Sequence, residues 1–290
     1  MSKRNIKKIL ICGKGQLGQE LYNFLRLKYD VEIVDQSKLD ITDKEKVSKF
    51  INKSLPHCII NAAAYTQVER AEQEVEEAFR VNAYGPYYLA VVAKNVGAIL
   101  IHISSDYVFD GTKKFFVETD APNPLNIYGA SKLLGEILVQ IAYPNYYIFR
   151  TSAIFGRYTS QSRTNFVDRI IGLARGGRAI KAVTDQFTSP TYATDLAVKI
   201  SEFIKKQPPS GIYHITNSGS CSWYDFAVKI LSTMNLTTKV KPTKTAKVLG
   251  PISRPCYSIL HSQLLKNSGF DTLPSWQNAL KRYCREKYNI

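Results

Sequence analysis

The chain has 290 residues, 44% of them hydrophobic and 22% charged, with a net charge of +15. That is enough to bury the core of one large domain with a small appended lobe, and no apolar run approaches the roughly 20 residues of a spanning helix. The five cysteines are scattered, with no CxxC or Cys/His cluster, which argues against a disulfide framework or a zinc site, and we expect buried structural thiols. The lysines are interleaved with acids along the chain and no RNP, zinc-finger or basic-region pattern accompanies them, so a solvated basic surface is expected rather than a nucleic-acid footprint. The basic start Met1–Lys8 runs straight into an apolar strand pattern without a signal-type block; a cytoplasmic protein with no membrane association is expected.

In chain order, apolar runs at Lys8–Cys12, Val31–Val34, Cys58–Asn61, Ile99–Ser104 and Tyr147–Arg150 predict strands. Amphipathic stretches at Gln16–Leu27, Lys44–Lys53, Val75–Lys94 and Ser131–Ala142 predict the helices between them. Repeated β-then-α units predict an α/β fold: a Rossmann-like, doubly wound parallel sheet with helices on both faces. After Arg150 the rhythm changes. A polar loop is expected over 155–164, then a helix at Asn165–Ala174, a strand at Ala179–Val183, a helix at Thr194–Lys205 and a strand at Gly211–Ile215. Two later helices are expected at Ser222–Met234 and Trp276–Tyr288. The expected division is a sheet domain of residues 1–155 joined by about 179–215, and a smaller interleaved substrate lobe of 156–178 and 216–290.

The glycines of Gly13-Lys14-Gly15-Gln16-Leu17-Gly18 follow the first strand and open the first helix. Glycine lets such a turn tighten and approach a pyrophosphate, which then meets the helix's N-terminal amides. Asp35 ends the second strand about 20 residues on, where an acceptor for a ribose 2′-hydroxyl belongs. Asp40 and Ile41 come next to an adenine on this reading, unless Thr42 or Asp43 simply caps the following helix. The small residues Ala62, Ala63 and Ala64 follow the third strand, at the carboxyl end where ligands sit in such sheets.

Tyr128 and Lys132 form a YxxxK pair at a helix start, one turn apart on one face. A free tyrosine has a pKa of about 10. A neighbouring ammonium lowers it and makes the phenol a competent proton donor. Ser105, at the end of a strand, supplies a hydroxyl beside them.

With these motifs the sequence resembles the extended short-chain dehydrogenase/reductases, and among them the dTDP-4-dehydrorhamnose reductases. The segments ISSDYVFDG at 103–111, NIYGASK at 126–132 and SWYDFA at 222–227 carry it, and matching segments run to about Ser258. The resemblance implies NADPH- or NADH-dependent reduction of the C4 keto group of a nucleotide-activated deoxysugar. Ser105, Tyr128 and Lys132 would be catalytic, and Gly13, Gly15, Gln16, Leu17, Gly18, Asp35, Asp40, Ile41, Ala62, Ala63, Ala64, Tyr65, Thr66, Tyr128 and Lys132 would hold the cofactor. Ser105, Asp106, Tyr107, Ala153 and Arg254 would face the nucleotide sugar, Arg254 as a diphosphate clamp or else as a structural ion pair. Trp223 and Tyr224 are expected to pack the small lobe. The resemblance allows a homodimer, and some relatives are associated with magnesium, although no carboxylate cluster marks a metal site here.

Three departures stand out. The glycine turn is one residue short unless Cys12 takes the first glycine's place, Thr188 replaces a glycine, and Ala153 replaces a tryptophan usual at the substrate. We expect Ala153 to reshape the sugar pocket, unless Tyr107 or Phe155 swings in to refill it. Two other readings compete: a nucleotide-sugar epimerase of the same superfamily, and a non-catalytic subunit like the regulatory subunit of methionine adenosyltransferase. Tyr107 after Asp106, where a dehydratase would carry glutamate, argues against elimination chemistry.

Overall fold

The computed structural model describes residues 4–158, 164–247 and 252–290. Six parallel strands form the main sheet: β1 (Lys8–Cys12), β2 (Asp30–Val34), β3 (Cys58–Asn61), β4 (Ile99–Ser105), β5 (Tyr146–Thr151) and β6 (Gly211–His214). Their order across the sheet is β2-β1-β3-β4-β5-β6. The order reverses beside β1, which pairs with β2 on one edge and β3 on the other. The chain therefore leaves β1 and β3 in opposite directions, and a crevice opens beyond their carboxyl ends.

Alternation along the strands makes both faces apolar. Ile9 and Ile11 point to one side, where they meet α1 (Gln16–Leu25) through Leu17, Leu21 and Leu25. Leu10 and Cys12 point to the other, against α2 (Lys44–Ser54) and α3 (Gly85–Val96) through Val47, Ile51 and Leu89. Val139 on α4 (Ile127–Ala142) joins that second face. Each such fully buried side chain contributes about 1.5–3 kcal/mol of transfer free energy.

Past β5 the chain builds a second core from Phe155, α5 (Phe166–Arg175), α7 (Trp223–Thr233) and α8 (Trp276–Tyr288), with α6 (Ala193–Lys206) returning to the sheet. The expected division needs two corrections. Ile180–Val183 pairs with Val240–Thr243 away from the main sheet and buries Ile180 and Ala182 in the second core, so the return to the sheet domain begins at α6. Conversely, Leu265, Phe270 and Leu273 bury themselves in the sheet domain's core. Periodicity says which residues are buried but not against what.

The helix expected over Val75–Lys94 is broken. An α-turn at Val75–Phe79 passes into a π-turn at Arg80–Tyr84 before α3 begins. Pro86, near the start of α3, lacks the amide that would bond back one turn, and the wider turn accommodates this. Helix α4 starts at Ile127 rather than Ser131, because Asn126 caps it by accepting from the Gly129 amide at 2.8 Å. Asp43 caps α2 in the same way, and 36–38 and 41–42 form turns. Within the expected loop, Ile154–Phe155 is a short strand paired with Thr191–Tyr192, and 159–163 lie outside the described residues. Cys12, Cys58, Cys221 and Cys284 are buried as expected, but Cys256 is exposed.

The glycine turn shows why its three glycines differ. Gly13 adopts φ +107°, and a Cβ there would lie 2.5 Å from the Ala63 amide nitrogen. A Cβ on Gly18 would lie 1.8 Å from the Gly13 carbonyl oxygen, whereas one on Gly15 would meet nothing within 4 Å. Gly13 and Gly18 thus serve packing, while Gly15 borders open space. We expect Gly18→Ala to lower stability by about 1–3 kcal/mol or more and Gly15→Ala to leave it near wild type. Thermal unfolding of the two variants measures the difference, and equal losses would contradict this division of roles.

Candidate active site

The crevice at the carboxyl ends of the strands opens into a cleft of about 1170 Å³. Gly13, Gly15, Gln16, Leu17, Asp35, Asp40, Ile41, Ala62, Ala63, Ala64, Tyr65 and Thr66 all line it, as do Ser105, Asp106, Tyr107, Tyr128, Lys132 and Ala153. Gly18 is packed under the turn instead, and Arg254 is not among the lining residues, although Pro255 after it is.

Four backbone strands bring these groups together. Gly13 donates to the Val34 carbonyl at 2.8 Å and Ala62 to the Cys12 carbonyl at 2.8 Å, which joins the ends of β1, β2 and β3. Cys12 closes β1 as a buried strand residue opposite Asn61, so the short glycine turn begins at Gly13. Gln16 Nε2 donates to the Ile154 carbonyl at 3.1 Å and ties the turn to the segment after β5. The open space over Gly15, at the start of α1, fits a dinucleotide's pyrophosphate: backbone amides face it and no side chain fills it.

Asp35 is committed to its own turn. Its carboxylate accepts from Ser37 Oγ at 2.6 Å, from the Ser37 amide at 3.1 Å and from the Lys38 amide at 3.3 Å. The Ser37 hydroxyl and these amides, with Lys14 nearby, hold its pKa below the usual carboxylate value. Lys38 turns away to Glu32 at 2.7 Å, so the exposed Lys14 is the cation beside Asp35 in the cleft.

At the other end of the cleft, Tyr128 and Lys132 project from α4 toward Ser105. Glycine permits this approach: a Cβ on Gly129 would lie 2.2 Å from the Tyr107 carbonyl oxygen. Ser105 Oγ donates to Asp106 at 3.0 Å and accepts from the Tyr107 amide at 3.2 Å. Lys132 Nζ donates to the Ile103 carbonyl at 2.6 Å, and burial lowers its pKa to about 8. Tyr128 departs from the sequence-based expectation. Burial pushes its phenol well above the ordinary value, with Asp106 and Tyr107 adding to the rise and only a hydrogen bond with Ser105 pulling it down. The tyrosine is therefore firmly protonated, a proton source and not a phenolate.

Asp106 is buried, its pKa raised by that burial, and accepts from Ser152 Oγ at 2.6 Å. Ser152 in turn shares a 2.6 Å hydrogen bond with Thr188, so the threonine that replaces a glycine extends the polar wall behind Ser105. Ala153 lies in the cleft with φ 43°, a left-handed conformation uncommon for alanine. Phe155 does not refill its space, being fully buried and stacked on Tyr192; Tyr107 packs edge-on against Tyr128 at 5.7 Å. Arg254 pairs with Glu69 and lies 3.4 Å from the Tyr107 hydroxyl.

Two residues were missed or misassigned from the sequence. Asn82, in the π-turn, donates to Ser131 Oγ and to the Tyr65 carbonyl at 3.0 Å each and accepts from the Tyr65 amide at 2.9 Å. It binds the loop after β3 to α4; its only sequence signal was an asparagine inside an apolar helical pattern. Trp223 packs on Phe166 as expected, with ring centroids 4.6 Å apart, but it also lines the cleft. Among the described residues no three His, Cys, Asp or Glu side chains converge as metal ligands, and no helix is long and apolar enough to cross a membrane.

Comparison with known proteins agrees with this geometry. The model of the family described as "RmlD substrate binding domain" matches residues 7–289. The dTDP-4-dehydrorhamnose reductase of Aggregatibacter actinomycetemcomitans is 39% identical, over 94% of this chain and 97% of its own. The spore coat polysaccharide biosynthesis protein SpsK of Bacillus subtilis is 36% identical, over 97% of this chain and 98% of its own. Among solved structures, dTDP-4-dehydrorhamnose reductase from Bacillus anthracis in complex with NADP superposes with a TM-score of 0.92 at 40% identity, covering 97% of this chain and all of that one. Matched in sequence over nearly its whole length and in structure by a relative that holds NADP, the chain belongs to the dTDP-4-dehydrorhamnose reductase family.

Proposed function

We propose that this protein reduces the C4 keto group of dTDP-4-dehydrorhamnose to give dTDP-L-rhamnose, with NADPH as electron donor and NADH as an alternative. The observation that carries this reading is the convergence of Ser105, Tyr128 and Lys132 at one end of a cleft whose other end is the glycine turn. The bound dinucleotide supplies the hydride that C4 accepts. Tyr128 gives its phenolic proton to the carbonyl oxygen as negative charge develops there. Ser105, relieved of its bond to Asp106, donates to the same oxygen. Lys132 carries a positive charge beneath both, which favours the developing phenolate and meets the nicotinamide ribose. Arg254 pairs with Glu69 and does not line the cleft, so the diphosphate clamp expected of it requires that pair to open.

Residues at the adenosine end support use of both donors. Asp35 suits the free 2′-hydroxyl of NADH, and Lys14 beside it suits the 2′-phosphate of NADPH. A homodimer belongs to the same reading. The outward side of α4 carries Ile137 and Ile141, exposed and uncharged. On a chain of net charge +15, a face free of charge is one that two copies can share without repulsion. Sedimentation velocity is expected to give a dimer for the wild type and a monomer for Ile141→Lys; a monomeric wild type removes the homodimer from this reading.

Tyr128→Phe is expected to lower kcat by about a hundred- to ten-thousandfold while NADPH still binds; wild-type turnover in that variant excludes the assignment. Gly15→Ala, folded, should instead weaken NADPH binding. Because burial lowers the Lys132 pKa to about 8, its ammonium is present below that pH and lost above it. Activity should therefore fall as pH rises through this region. For the donor, kcat/KM measured with each dinucleotide should show that Lys14→Ala penalises NADPH more than NADH, and equal losses would show that Lys14 does not meet the 2′-phosphate.

A further inference from the structure

Behind the reacting groups lies an ion pair that the proposed chemistry does not use. Glu136 follows Lys132 by one helical turn on α4, and both Glu136 and its partner Arg150 on β5 are buried. Arg150 Nε lies 2.9 and 3.2 Å from the two carboxylate oxygens, and Nη2 lies 2.6 Å from one of them. Ser104 Oγ donates to the same carboxylate. The Phe109 ring lies 5.0 Å from the guanidinium carbon. Such a pair is weak evidence for stability, because stripping water from two charges offsets most of their attraction and a well-packed apolar pair often serves the fold as well.

Its placement suggests another role. Glu136 stands on the helix that bears Tyr128 and Lys132. Ser104 immediately precedes Ser105 on β4. Arg150 lies two residues before Ser152, which donates to Asp106 at 2.6 Å. One carboxylate thus joins the three elements that carry the groups around the reacting oxygen. We infer that Glu136 is a positioning residue for the reduction: gripped by Arg150 and Ser104, it seats α4 on β4 and β5 and supplies the negative charge behind Lys132. The inference rests on the roles proposed above for Tyr128 and Lys132.

The charged and titratable groups around Lys132 come from every neighbouring element. Glu136 and Tyr128 share its helix, His102 lies on β4, Asp106 follows β4, and Arg150 lies on β5; the nearby Asn61 and Asn82 are uncharged. His102 is held neutral by burial and by the lysine's own charge. Burial drives the ammonium toward deprotonation, and Glu136 is the group that opposes this. Removing its charge therefore makes Lys132 lose its proton at lower pH.

The test compares wild type, Glu136→Gln, Glu136→Asp and the double variant Glu136→Gln/Arg150→Met. The double variant removes both charges and so keeps the experiment interpretable where Glu136→Gln leaves Arg150 unpaired and fails to fold. Two quantities are read across pH: kcat, and the Kd for NADPH by fluorescence titration. The expected result for folded Glu136→Gln is an alkaline loss of kcat and of NADPH binding that both move down by about one pH unit, a tenfold change in the proton equilibrium; in the double variant the lost Arg150 cation offsets part of this, and the shift is smaller but in the same direction. Glu136→Asp keeps the charge and should keep the limb in place while its Tm falls. A folded double variant with a wild-type alkaline limb overturns the inference, as does a uniform loss of kcat without a shift. Retained activity in Tyr128→Phe would instead deny the catalytic reading itself, so the two failures are distinguishable.

Discussion

The seating of α4 on the end of β4 is the contact on which the site depends. Two glycines let the helix lie directly on main chain: a Cβ at Gly129 would be 2.2 Å from the Tyr107 carbonyl oxygen, and one at Gly135 would be 2.1 Å from the Asn82 carbonyl oxygen. No larger residue fits at either place. Ser131 and Lys132 lie between these two contacts and Tyr128 immediately precedes the first, so the part of the helix that meets backbone also carries the groups beside Ser105. Asn82 and Ser131 then join this contact to the loop after β3.

Burial at this contact has an electrostatic consequence. The same desolvation raises the Tyr128 pKa and lowers that of Lys132, so each group is moved toward its neutral form. In the role proposed for it, this suits the tyrosine, which would hold a proton until charge appears on the substrate oxygen. It does not suit the lysine, whose charge that proposal needs, and the buried Glu136 is the group that raises it again. The site thus departs from the simple picture in which lysine lowers the tyrosine pKa; Lys132 donates to the Ile103 carbonyl instead.

The second lobe contributes walls rather than chemistry. Trp223, Phe187 and Thr188 line the cleft across from the sheet, and Thr188 reaches Asp106 through Ser152. Ala153 leaves its part of the wall small, in a left-handed backbone conformation. The cleft wall is therefore drawn from several distant segments, while the groups proposed to react come from two adjacent elements.

The sequence by itself determined the local elements and brought forward the residues for which a chemical role is proposed. Strand alternation, the glycine spacing before α1 and the one-turn separation of Tyr128 and Lys132 are short-range properties, readable because a strand repeats every two residues and a helix about every 3.6. Only the tertiary structure decided what those elements meet. The π-turn at Arg80–Tyr84, the assignment of Ile180–Val183 to the second core and the committed carboxylate of Asp35 all depend on partners distant in sequence or on turn geometry that periodicity does not encode. The same holds for charge. That Glu136, Arg150 and Lys132 are ionisable is plain from their names, but their energies come from how far water is excluded and which opposite charge lies within a few ångströms, and both are properties of the packed molecule.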